Sequence, residues 1–200
     1  MSNFFDKYEL YTNSQSIYCY PDSTVLVNKL NITNWDTLRL AETQLVAARL
    51  YELEYSPLKG SFDIRHLYDI HEYIFQDCYD FAGKTRMENI SKGNTQFCLY
   101  NFIEENLSKL FSNVTIHSRQ LITKNEKIEF LSYIMSELNI IHPFREGNGR
   151  AIREFVREYA LNMGLTIKWA MIDREKLMDA MIESVLDDTL LKNCLNIIID

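Results

Sequence analysis

The sequence predicts a mainly α-helical bundle with one short β-hairpin. Apolar residues recur at three- and four-residue steps over most of the chain, the signature of helices with one buried face. Capping residues stand where those stripes begin. Only one stretch, residues 85–98, has strand-like composition around a turn signal, Gly93-Asn94. The chain has 200 residues, 46% hydrophobic and 24% charged, which fits a single domain over 1–200 with a sizeable core.

The elements follow in order. The first thirty residues are rich in tyrosine, serine and asparagine, so residues 1–17 are expected to form an irregular N-terminal segment. Residues 34–55 read as a helix, with Leu38, Leu45, Ala48 and Leu50 set among charges and Thr33 or Asn34 as the cap. Pro57 and Gly60 break it. Asp63 caps the next helix, which carries Ile64, Leu67, Tyr68, His71, Ile74 and Phe75. His66 and His71 lie five apart, which does not bring both to one metal, so packing and hydrogen bonding are expected of them. Residues 85–90 pair with 95–98 across 91–94. Taken as plain structure, that hairpin is a surface ribbon with Lys92 in solvent. Helices follow over 102–111 and 127–141. The second is preceded by a Thr123/Glu126 capping-box pattern and striped by Ile128, Leu131, Ile134, Met135, Leu138 and Ile141. A helix over 151–163 carries Ile152, Phe155, Val156 and Tyr159, and Gly164 stops it. Segments 174–185, with Leu177, Met178, Met181 and Ile182 as core, and 190–199 close the bundle.

One stretch concentrates reactive groups: His142-Pro143-Phe144-Arg145-Glu146-Gly147-Asn148-Gly149-Arg150, then Ala151-Ile152-Arg153. Pro143 disfavours helix at His142, so the preceding helix ends there and Gly147-Asn148-Gly149 falls at the start of the next one. Unpaired N–H groups and the helix dipole make such a start an anion site. Its glycines let a ligand approach the backbone. Arg150 and Arg153 add forked donors suited to phosphate. Glu146 supplies the hard oxygen that a magnesium ion on a nucleotide takes. His142 is able to accept a proton from a hydroxyl near neutral pH. Phe144 reads as a core anchor that fixes the loop. Singly, each feature is ordinary structure; their coincidence at a helix start indicates phosphate transfer.

Composition excludes some classes. A net charge of −7 argues against sequence-independent nucleic-acid binding, which needs a basic face. Cys19, Cys78, Cys98 and Cys194 show no metal-like pairing, and no secretory leader precedes them, so reduced thiols in a cytoplasmic protein are expected. No apolar run is long enough to span a membrane.

From His142 to Arg153 the sequence resembles the signature of Fic-domain proteins, His-x-Phe-x-Asp/Glu-Gly-Asn-Gly-Arg-x-x-Arg, at every specified position. The resemblance extends to Tyr20-Pro21, Asn28-Lys29-Leu30, Gly60-x-Phe62-Asp63, His66-Leu67, Ile70-His71, Phe81-Ala82-Gly83 and Ile90-Ser91-Lys92-Gly93-Asn94-Thr95. It covers the chain from about residue 18 to its end. It implies the Fic fold, a helical bundle in which the hairpin is a flap over the active-site helix-loop-helix. It also implies a protein adenylyltransferase that moves AMP from ATP to a protein hydroxyl.

By that resemblance His142 is the general base, with Asn148 and Arg150 as further catalytic residues. Glu146 holds Mg2+. Gly147, Asn148 and Gly149 form the anion hole, Arg150 and Arg153 bind phosphates, and Lys92 and Gly93 touch nucleotide. The target protein docks on the flap, 85–98, by strand addition. Gly147, where kinase-like relatives carry lysine, points to AMP transfer. Fic enzymes are commonly restrained by a Ser/Thr-x-x-x-Glu-Gly/Asn helix. Glutamate precedes Gly or Asn here at Glu88-Asn89, Glu105-Asn106 and Glu146-Gly147, with Lys84, Asn101 and His142 four residues earlier, so none fits. The resemblance therefore implies a toxin restrained by a separate small antitoxin that engages Arg153. Its expected targets are the ATPase subunits of DNA gyrase and topoisomerase IV, or a host GTPase if the chain belongs to a longer secreted effector. The alternatives are an ATP-binding module without transfer activity and an enzyme using another nucleotide or phosphate-bearing donor.

Overall fold

The computed structural model describes residues 9–10, 15–93, 95–117 and 121–200, with side chains for all of these except 9–10 and 115–117. Its helices are α1 (Trp35–Tyr55), α2 (Ile64–Phe75), α3 (Ile103–His117), α4 (Lys124–Ile141), α5 (Asn148–Asn162), α6 (Arg174–Glu183) and α7 (Thr189–Ile198). Helix α4 is central and packs on α5, α3 and α7; α2 packs on α5 and α1, and α6 on α7. The stripes read from the sequence make the core: Leu131, Ile134, Met135 and Leu138 of α4 and Ile152, Phe155 and Val156 of α5 are fully buried, as are Leu67, Ile70 and Ile74 of α2.

The caps set the helix starts. Asn34 accepts from the Thr37 N–H at 3.0 Å and Asp63 from the His66 N–H at 2.9 Å. Thr123 and Glu126 form the reciprocal capping box, which starts α4 three residues before the expected 127. Helix α3 begins on a 3-10 turn (Tyr100–Phe102) and outruns the expected 102–111, because Leu110, Phe111 and Val114 continue its buried stripe. Helix α5 likewise begins at Asn148 rather than 151, which places the glycine pair at its first turn. Of the four expected core residues of α6, Leu177 and Met181 are buried, Met178 is half-buried, and Ile182 is 56% exposed. Helix α6 is short and covered on one side only.

The sheet differs most from expectation. Its strands are β1 (Glu9–Leu10), β2 (Ile90–Lys92) and β3 (Thr95–Gln96), in the order β1-β2-β3. Ser91 pairs with Gln96 and Lys92 with Thr95, so Ser91 and Lys92 lie in a strand and the chain turns at Gly93; Asn94 lies outside the described residues. On the other side of β2, Glu9 pairs with Ser91 and Leu10 with Ile90. The segment expected to be irregular thus contributes a strand; the rest of residues 1–14 lies outside the described residues. Residues 85–89 do not join the ladder, because Arg86 turns inward (below) and takes its neighbours out of line.

His66 and His71 are both buried in α2; His66 Nε2 lies 3.1 Å from Glu158 Oε2. Among the described residues no group of three or more His, Cys, Asp or Glu is arranged to hold a metal, and all four cysteines are free. Among them, too, no helix is long and apolar enough to cross a membrane.

Candidate active site

The turn between α4 and α5 is built from the core outwards. His142 caps α4 in the left-handed region (φ 49°, ψ 62°), its N–H donating to Leu138 O at 2.9 Å. Phe144 is fully buried and stacks on His71 with ring centroids 3.7 Å apart. Asn148 closes the loop with both ends of its amide: Oδ1 accepts from the Phe144 N–H at 2.8 Å and Nδ2 donates to Phe144 O at 2.7 Å. That side chain is fully buried, with both ends of its amide engaged inside the loop. Gly147 is at φ 80°, and a Cβ there would lie 2.1 Å from Phe75 Cζ, so only glycine fits.

Two buried histidines hold opposite tautomers. The Gly83 N–H donates to His71 Nδ1 at 2.9 Å, so the His71 proton is on Nε2 and is donated to Glu146 O, also at 2.9 Å. His71 fixes the loop, as its expected role in packing and hydrogen bonding requires. In His142, Nδ1 lies 2.9 Å from Asn139 O, an acceptor, so the proton is on Nδ1 and Nε2 carries the lone pair. Phe97 stacks on this imidazole at 3.7 Å. Burial, reinforced by the positive charges of Arg86 and Lys92, pushes the His142 pKa down to about 3, and burial does the same to His71. His142 is therefore a neutral base with a defined acceptor atom.

Glu146 and Arg150 keep about a quarter of their side-chain surface exposed at the mouth of the turn. Glu146 Oε1 accepts from the Gly147 N–H at 2.8 Å and from Arg150 Nη2 at 3.2 Å. This occupies the Gly147 N–H, leaving the Asn148 and Gly149 N–H groups without a partner among the described residues at the start of α5. Burial and the neighbouring Glu42 carboxylate raise the Glu146 pKa, against the opposing charge of Arg150. Arg153 lies beside this mouth, its Nη1 3.3 Å from where a Gly149 Cβ would be. Burial above all, then the like charges of Arg150 and Arg174, lower its pKa to about 10. The second oxygen of Glu146 fits a divalent cation. Among the described residues no group of three or more such ligands is gathered there, so that cation would be held largely by phosphates and water, as magnesium on a nucleotide is.

The sequence alone did not reveal the residues that tie the flap to this turn. Arg86, 1% exposed, donates to four backbone carbonyls: Nε to His142 at 2.8 Å, Nη1 to Glu88 at 2.7 Å, and Nη2 to Cys98 at 2.5 Å and Ile141 at 3.3 Å. Its N–H donates to Pro143 O at 2.9 Å, and the Cys98 N–H to Ile140 O at 3.0 Å. Arg145 pairs with Glu88 at 2.6 Å, and Glu88 also accepts from Ser16 Oγ at 2.8 Å. Lys92 is half-buried in β2 rather than in open solvent, close enough for its charge to act on His142. Gly93, at φ 55°, forms the turn.

Comparison with known proteins agrees with this geometry. The chain is 37% identical over 176 residues to the protein adenylyltransferase VbhT of Bartonella schoenbuchensis, which covers 87% of this chain and 37% of that relative. It is 32% identical over 159 residues to a protein of Escherichia coli named as a probable protein adenylyltransferase Fic, covering 79% of this chain and 78% of the relative. Among solved structures, the N-terminal Fic domain of a VirB-translocated effector from Bartonella quintana, with bound ADP, superposes with a TM-score of 0.81 at 26% identity, over 92% of this chain and 94% of that one. The BepC effector of Bartonella tribocorum, solved with AMPPNP, shares the fold at 23% identity and a TM-score of 0.82, over 92% and 96%. The Fic/DOC family model matches residues 61–160, half the chain, including the whole turn from His142 to Arg153. By its motif, its fold and its relatives, the chain belongs to the Fic/DOC family.

Proposed function

We propose that this chain is a protein adenylyltransferase that moves AMP from ATP to a hydroxyl side chain of a protein docked along the flap. The observation that carries this reading is the locked His142 tautomer: Nδ1–H is held by Asn139 O and Nε2 remains a proton acceptor. A nucleotide-binding module without chemistry has no use for an imidazole oriented in this way.

In the proposed reaction the target hydroxyl gives its proton to His142 Nε2 as its oxygen bonds to the α-phosphorus. The bond from that phosphorus to the β-phosphate breaks in line, and pyrophosphate leaves. The Asn148 and Gly149 N–H groups and the α5 dipole face the charge on the α-phosphate, Arg150 engages the phosphates, and Arg153 positions the γ-phosphate. Glu146 would hold a magnesium ion, which would supply charge neutralisation at the phosphates. Lys92 and Gly93 of the flap touch the nucleotide or the docked segment. Aligning an extended target segment beside the hairpin is strand addition, in which backbone hydrogen bonds supply affinity and side-chain pockets supply choice.

The finer reading is a toxin of the cytoplasm, restrained by a separate antitoxin whose carboxylate meets Arg153 and acting on the ATPase subunits of DNA gyrase and topoisomerase IV. Its support is the position of Arg153 beside the mouth of the turn and the lack of a matching inhibitory motif in the sequence. Incubating the protein with labelled ATP, magnesium and bacterial lysate should label a discrete band that His142→Ala abolishes. Expression without a partner should slow bacterial growth, and the same variant should relieve it. Binding of ATP with no labelled protein in any lysate overturns the transfer reading.

A further inference from the structure

Arg150 is held by two carboxylates, and one of them comes from far away. Its Nη1 lies 2.5 Å from Oε1 of Glu42 in α1, 108 residues earlier, and its Nη2 3.2 Å from Oε1 of Glu146. The guanidinium lies over the Phe75 ring, 4.6 Å from its centroid. The other Glu42 oxygen accepts a hydrogen bond from the hydroxyl of Tyr79, a buried side chain that stacks on Phe81. Both Glu42 oxygens are thus engaged, and its side chain is 13% exposed. We infer that Glu42, backed by Tyr79, is a positioning residue for nucleotide binding: it aims Arg150 at the phosphates and keeps it from closing over Glu146.

Glu146 and Arg150 are four residues apart, a spacing at which carboxylate and guanidinium can pair in two parallel bonds. Such a forked pair would cover both oxygens of Glu146 and turn the arginine's donors inward. Here a single arm reaches Glu146, at the longer distance, because Glu42 draws the other. Glu42 therefore splits the fork, leaving Glu146 one oxygen for a cation and Arg150 its remaining donors for phosphate. Tyr79 keeps the carboxylate in place, and burial together with the Glu42 charge pushes the phenol pKa up, so the proton that makes this bond stays on the hydroxyl. A phosphate then meets an arginine already ordered and partly desolvated, which lowers the cost of binding. A carboxylate in this position has one rival role, as a competitor that phosphate must displace. The two roles predict opposite signs on removal.

This inference takes the location of the phosphates from the proposed function, so its test reads binding without turnover. The full chain and the variants Glu42→Gln, Tyr79→Phe, Arg150→Ala and the double variant Glu42→Gln/Arg150→Ala would be titrated calorimetrically with a non-hydrolysable ATP analogue, with thermal unfolding and transfer kinetics in parallel. Glu42→Gln should weaken analogue binding about tenfold, as loss of a charge-assisted contact does. It should raise KM for ATP by a similar factor with a smaller change in kcat. Tyr79→Phe should act in the same direction, less strongly, and keeps the test decisive if Glu42→Gln does not fold. In the Arg150→Ala background the Glu42 change should add nothing. Unchanged or tighter binding in Glu42→Gln overturns the inference, as does an equal loss in the Arg150→Ala background, which would mark a role in folding alone. A wild-type chain that binds the analogue but transfers nothing leaves this test intact and removes only the transfer reading. One that binds no analogue removes both.

Discussion

Arg86 Nε donates to the carbonyl oxygen of His142 at 2.8 Å across 56 residues of sequence, tying the base of the flap to the residue that carries the reactive imidazole. The same guanidinium reaches Cys98 and Ile141, so one side chain joins both ends of the hairpin segment to the end of α4. Arginine suits this position because its five donors diverge in a fixed plane, whereas a lysine ammonium cannot serve four carbonyls lying in different directions.

Arg86→Lys should therefore destabilise the fold by about 2 kcal/mol or more, because buried carbonyls lose their donors while a charge stays buried. Arg86→Ala should cost more, and both should depress AMP transfer beyond what the stability change explains. Urea unfolding and initial rates on the same preparations check this. A cost below about 0.5 kcal/mol, the range of ordinary surface changes, would show that the clamp is incidental.

The depressed His142 pKa sets the pH behaviour. The group is neutral when folded and ordinary when unfolded, so the unfolded chain binds more protons between about 3 and 6.5. The stability contributed by the neutral imidazole is complete above 6.5 and is lost as pH falls towards 3; His71 adds a second contribution of the same sign. The midpoint of thermal unfolding should fall steadily as pH drops below 6.5, and His142→Asn should make that fall shallower. For kcat/KM, which reports the free enzyme, no acid limb should appear near the ordinary histidine value.

Gly147 and Gly164 both adopt positive φ, 80° and 76°, but only Gly147 meets a neighbour. Gly164→Ala carries the backbone penalty alone, about 1 kcal/mol. Gly147→Ala adds a collision with Phe75, whose Cζ would lie 2.1 Å from the new Cβ, and should cost about 3 kcal/mol or more, with loss of transfer. Comparing the two variants by denaturant unfolding separates strain from collision.

Asn148→Ala removes both hydrogen bonds to Phe144 and strands a buried N–H and a buried C=O. A loss of about 2 kcal/mol is expected. Asn148→Asp keeps the acceptor but not the donor, so it should keep the bond to the Phe144 N–H and lose the one to its carbonyl. Transfer should fall in both variants through loosening of the turn, seen as faster amide exchange at residues 144–148.

The helices were legible because their stripes and caps are local: Asp63, Asn34 and the Thr123/Glu126 pair act within one turn of the residues they satisfy. The chemical turn was legible because its residues are contiguous. Arg86, Glu42 and Glu88 were not. Their partners lie on distant segments and, for Arg86, are backbone carbonyls that carry no mark in the sequence. The hairpin register was misplaced because strands of two and three residues offer too few alternations to fix it. Asn148 illustrates a further limit. Its place in the motif points to a ligand, while the structure shows what the sequence does not, that its side chain closes the loop on Phe144.

The left-handed backbone at His142 fixes where movement in this protein has to occur. The reactive ring sits on the terminal bend of the central helix, its own carbonyl gripped from across the molecule and its Nδ1 anchored one turn back. The proton acceptor is thereby part of the rigid interior rather than of a wandering surface loop. In the proposed reaction, adjustment to an arriving target therefore falls to the substrate and the neighbouring hairpin rather than to the base.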